Sequence, residues 1–97
     1  MQKKNSYGNI KIRKNLINAK GVSFIMTIKT DSKKLETERI KKGMSISALS
    51  MASGLSVSSI WKIENEFSRP SPSSAKKICN ALGVEFDTIF EIVEKEA

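Results

Sequence analysis

Three serines, a tryptophan and a lysine crowd into ten residues, SVSSIWKIEN, at 56–65. Their chemistry is that of contact rather than bond-making. Hydroxyls donate and accept hydrogen bonds, an ammonium group attracts anions, and an indole offers a flat apolar surface. Placed on a helix at about 100° per residue, Ile60 and Ile63 centre one face. Ser58, Trp61 and Lys62 centre the opposite face, and Val57 and Glu64 border the two. Trp61 is the only tryptophan in the chain. The wheel favours an indole turned towards a ligand or packed on a loop over one in the core. An outer face of this kind suits an anionic partner with apolar edges, which is the description of a nucleic acid.

Other chemistries lack their residues. The chain has no histidine, which excludes a His general base and a His-ligated metal. Cys79 is the single cysteine and sits at an apolar helical position, so it reads as a core thiol rather than a nucleophile. No glycine-rich phosphate cradle is present. No catalytic residue, cofactor or metal is therefore expected. The longest apolar run is too short for a bilayer, and VSFIMTI lacks the marks of a leader, so a cytoplasmic, nucleoid-associated location is expected.

Charge is unevenly spread along the 97 residues. Net charge is +7, yet residues 1–25 hold six bases and no acid, whereas residues 85–97 hold one base and five acids. An anion-binding surface would draw on the front and middle of the chain and avoid its end.

The elements that must position the 56–65 face follow from caps and breakers. Residues 1–30 form a basic extension, either flexible or a β-hairpin. IKIR and VSFIMTIK have strand character, and Asn18 to Gly21 can turn between them. Met26 also resembles a natural start, which would leave residues 1–25 as an upstream extension. Helical signals then dominate 31–97. Asp31 or Ser32 caps a first helix through Lys42, and Gly43 stops it. Ser45 caps a second through Ser53, closed by Gly54, and Ser56 caps a third through Asn65. FSRPSP is a loop. Ser71 or Ser73 starts a fourth helix whose buried face is Ala75, Ile78, Cys79 and Leu82. A fifth is expected over 87–95, with Phe86, Ile89 and Phe90 closing the core and Ile92 and Val93 available to a partner.

Only two residues separate the second helix from the next cap. That forces a steep crossing, where Ser50 is small enough for close approach and Gly54 supplies a positive φ. Residues 35–90 resemble the Cro- and phage-repressor-type (XRE) helix-turn-helix family. The resemblance rests on KKGMS, LSMASGLS, SSIWKIEN, RPS, ALGV and TIF, in order and at the family's spacing. It implies an all-α, five-helix, lambda-repressor-like bundle that binds operator DNA, with the third helix in the major groove and the second across the backbone. Carried onto this chain, Val57, Ser58, Trp61 and Lys62 would face bases. Ser45, Ser47, Ser56 and Arg69 would approach phosphates, and Lys62 can serve either. Arg39 and Glu64 occupy positions that form an ion pair in the family. Three departures stand out: Ile46 replaces a usual Gln, Glu66 a usual Gly, and Val57 and Ser58 more polar readers.

The expected function is sequence-specific DNA binding by a small transcriptional regulator, a homodimer on a palindromic operator. The alternative is an antitoxin-like protein-interaction module, in which a protein partner replaces double-stranded DNA.

Overall fold

A computed structural model describes residues 16–17, 21 and 23–96. The candidate strand at 10–13 and the turn residues 18–20 lie outside these. The chain divides into two units. One spans Ile28–Glu91, and the other holds strand residues on either side of it.

The Ile28–Glu91 unit contains five helices: α1 Ser32–Lys41, α2 Ile46–Ser53, α3 Val57–Glu64, α4 Pro72–Leu82 and α5 Phe86–Ile89. The first four begin with a side chain that accepts a backbone N–H otherwise without a helical partner. Asp31 accepts from Lys34, Ser45 from Ala48, Ser56 from Ser59 and Ser71 from Ser74, at 3.0–3.2 Å. Each such cap contributes about 1 kcal/mol. Pro72 sits in the first turn of α4, where its missing N–H costs nothing. Gly54 ends α2 at φ 80, a backbone angle that a side chain disfavours.

Apolar side chains at helical spacing fill the interior. Leu35, Leu49, Ile60, Ile78 and Leu82 are completely buried, and Ile28, Ile63, Ala75, Cys79, Ile89 and Phe90 join them. Ile40, by contrast, is exposed. The packing helix pairs are α2 with α3 and α4, α1 with α3 and α5, and α4 with α5. These helices are too short to persist alone, so their stability comes from this shared core.

The fold is not all-α. Strand β1 (Leu16–Ile17) pairs antiparallel with β2 (Ser23–Thr30), Leu16 opposite Phe24 and Ile17 opposite Ser23, and β2 lies between β1 and β3 (Phe90–Glu96). The expected fifth helix stops at Ile89, and Phe90 is extended at φ −123, ψ 157. Residues 90–96 instead form a strand beside β2. Periodicity cannot separate a short apolar run in a helix from one in a strand. Here β-branched Ile92 and Val93 favour the pleated form, and β2 supplies the ladder.

Candidate nucleic-acid interface

The α2–α3 turn is fixed by hydroxyls. The Ser50 hydroxyl donates to the Leu55 carbonyl, and the Ser53 hydroxyl donates to the Ser50 carbonyl at 3.3 Å while accepting from the Leu55 N–H at 3.3 Å. Ser50 is thus more than a small residue at a crossing. It ties the end of α2 to the approach to α3.

A bidentate ion pair holds α3 to α1. Arg39 donates from Nε to Glu64 Oε1 at 3.1 Å and from Nη2 to Oε2 at 2.9 Å, and its Nη1 donates to the Met44 carbonyl at 2.9 Å. Both side chains are largely buried. The pair also neutralises the one acid on α3, so Glu64 does not oppose an anionic ligand.

With its inner face anchored, α3 presents the other face to solvent. Val57 is 49% and Trp61 46% exposed, and Ser58 and Lys62 are exposed beside them. Ser56 caps the helix at its solvent-facing start, where its hydroxyl also donates to the Ser59 hydroxyl at 2.9 Å. Ser45 and Ser47 are exposed at the start of α2, Ser45 as its cap. Neither helix carries an acid in its first turn. The partial positive charge of each N-terminus is therefore unopposed, and backbone N–H groups there favour phosphate oxygens. Arg69 lies exposed in the loop between α3 and α4, separate from the α3 face in sequence.

The Trp61 indole is outside the core and stacks on Phe67, with ring centroids 5.2 Å apart and planes 12° apart. Phe67 is a site residue that the sequence reading passed over. Its position follows from the end of α3. Glu66 takes φ 63, its N–H donates to the Ile63 carbonyl at 3.2 Å, and the Phe67 N–H donates to the Lys62 carbonyl at 2.7 Å. This return is a Schellman motif, which brings the residue after the left-handed position back against the last helical turn. An apolar residue in an otherwise polar loop was the available signal. The left-handed residue is Glu66, whereas Asn65 has φ −97 and donates from Nδ2 to the Trp61 carbonyl at 2.9 Å.

Cys79 is buried, and burial raises its thiol pKa above the ordinary value, with the Glu85 carboxylate adding to the shift and Lys76 opposing it. The thiol form dominates at neutral pH, which leaves a packing group. Among the described residues, no three His, Cys, Asp or Glu side chains cluster as metal ligands, and no helix is long and apolar enough to cross a membrane.

Two capped helices joined through Gly54, Leu55 and Ser56, the second with a polar, cationic and aromatic outer face, define a helix-turn-helix DNA-binding domain. A family model described as Helix-turn-helix (HTH_3) matches residues 35–89, more than half of the chain. The chain belongs to this XRE-type family, a family of DNA-binding transcription regulators. Solved structures agree. The restriction-modification controller protein C.AhdI from Aeromonas hydrophila is 28% identical at TM-score 0.57, covering 59% of this chain and 86% of that one. The clp gene regulator ClgR from C. glutamicum is 26% identical at TM-score 0.54, covering 59% and 75%. The transcriptional regulator VanUg is 26% identical at TM-score 0.54, covering 72% and 89%. No curated protein sequence gives a significant match.

Proposed function

We propose that the protein is a Cro- or repressor-type regulator that binds a two-fold symmetric operator as a homodimer, with α3 of each copy in the major groove. The observation that carries this reading is the outer face of α3. Val57, Ser58, Trp61 and Lys62 are exposed together, while Ile60 and Ile63 of the same helix are buried. In the groove, Ser58 and Lys62 offer donors to base edges, Lys62 to guanine O6 and N7. Ser45, Ser47, Ser56 and Arg69 reach the flanking phosphates, helped by the N-termini of α2 and α3. Residues 31–97 carry these contacts, and the six bases of residues 1–25 add attraction to the DNA backbone. One module contacts few base pairs. Two copies on half-sites about one helical turn apart supply the affinity and specificity that a regulator needs. Similarity to a restriction-modification controller and to a gene regulator supports control of transcription as the outcome of binding.

The test is selection of bound duplexes from a random pool with the full chain. A two-fold symmetric motif is expected, with weaker binding at higher salt as counterions are released. Absence of any enriched motif would overturn the reading and point to a protein partner instead.

A further inference from the structure

We propose that Phe67 positions the Trp61 indole, and that the two rings form with Val57 an apolar strip that reads thymine methyl groups in the major groove. This rests on the reading that α3 enters that groove.

The strip is built from three side chains that the core does not use. Val57 and Trp61 are four residues apart on α3, so they are neighbours on one face, one turn apart. Phe67 adds a third apolar group through its near-parallel stack on the indole. Exposure is 49% for Val57, 46% for Trp61 and 71% for Phe67. The loop that delivers Phe67 is locked by the 2.7 Å bond from its N–H to the Lys62 carbonyl and by the left-handed Glu66. An unsupported surface indole would sample several rotamers and lose that freedom on binding. Stacked on Phe67, it is held beforehand, and the ordering cost is reduced.

The ligand chemistry follows from what the strip lacks. Three adjacent apolar groups in water offer no hydrogen bond to a base edge except the indole N–H. In B-form DNA, the apolar group that the major groove presents is the thymine C5 methyl. The Ser58 hydroxyl and Lys62 ammonium beside the strip supply the polar contacts. The half-site should therefore contain thymine opposite the strip. Phe67 acts through Trp61 and is a positioning residue.

The experiment uses the full chain and duplexes carrying the selected motif, with each half-site thymine replaced in turn by uracil. Base pairing is unchanged and one methyl is lost. For the natural chain, at least one replacement should weaken binding about fourfold, the value of one buried methyl-sized group. Phe67→Ala should weaken binding to the thymine duplex about two- to tenfold, the range for having to immobilise one freed side chain on binding. It should also bring the thymine-to-uracil affinity ratio near one. Phe67→Tyr should restore both. The melting temperature of Phe67→Ala should fall by only a few degrees, because the stack is lost but the ring lies outside the core.

A selected motif without thymine, or equal binding to thymine and uracil duplexes, would overturn methyl reading while leaving α3 in the groove. A Phe67→Ala chain that keeps the full ratio would overturn the role of Phe67. Absence of any enriched motif would overturn this inference together with the groove reading on which it rests.

Discussion

Removing Glu64 alone should cost far more than replacing Glu64 and Arg39 together. The Glu64 carboxylate accepts two charge-assisted bonds from Arg39, at 2.9 and 3.1 Å, across a sequence separation of 25 residues. In Glu64→Ala the guanidinium keeps the Met44 carbonyl bond but loses its counter-charge in a site where only 12% of its side chain meets solvent. Breaking a buried pair in this way costs about 3 kcal/mol or more. A unit of the size of Ile28–Glu91 has total stability of about 3–10 kcal/mol. The single variant should therefore be close to unfolding at moderate temperature, with a midpoint lowered by about 12–24 °C. Arg39→Met with Glu64→Leu removes both charges and fills the space with apolar atoms. That double variant should lose less than about 1 kcal/mol or gain stability. Urea unfolding followed by circular dichroism, for the natural chain, Arg39→Met, Glu64→Leu and the double, gives the coupling energy directly. We expect coupling above about 2 kcal/mol. A single variant costing under about 1 kcal/mol would refute the reasoning, since the pair would then behave as an exposed one.

Four further outcomes are expected. Glu66→Gly should stabilise the protein by about 0.5–1 kcal/mol, because relief of the left-handed φ exceeds the entropy that glycine adds to the unfolded chain; a lower melting temperature would contradict this. Trp61→Ala with Lys62→Ala should leave thermal stability nearly unchanged and weaken binding to the selected duplex, so a collapse of the fold would show that the indole is structural. The Cys79 thiol should resist a soluble disulfide reagent until the protein is denatured. Its folded pKa lies above the ordinary thiol value of 9.0, so the folded state retains a proton that the unfolded chain releases. Stability from this group is present below that value and declines as pH rises past it, and a melting temperature that rose between pH 8 and 10 would contradict the assignment.

The parts of the fold that were legible depend on neighbouring residues. Ser45, Gly54, Ser56 and Gly83 announce helix ends because a cap needs a particular side chain, or none, within a few positions. The pattern Ala75, Ile78, Cys79, Leu82 likewise shows its buried face at helical spacing. What was not legible depends on distant partners. Residues 90–96 carry a pattern compatible with either state, and the deciding partner is β2, some sixty residues earlier. The turn after α3 was obscured for another reason. Asn65 is the residue that most readily tolerates a left-handed backbone, but the Schellman return requires that conformation at Glu66. Phe67 gains its place from that return, and so its stacking with Trp61 was hidden until the backbone path was known.

The division of labour on α3 bears on how such a protein changes over generations. Ile60 and Ile63 hold the helix from within, and Glu64 is clasped by Arg39, while Val57, Ser58, Trp61 and Lys62 contribute nothing to that anchorage. Exposed substitutions away from caps and buried networks usually alter stability by less than about 0.5 kcal/mol. The outward positions are thus free to drift or to be redesigned without unfolding the domain. On the proposed reading of α3, a duplicated copy would acquire a new target through changes at these outward side chains, while its ancestral scaffold is inherited intact.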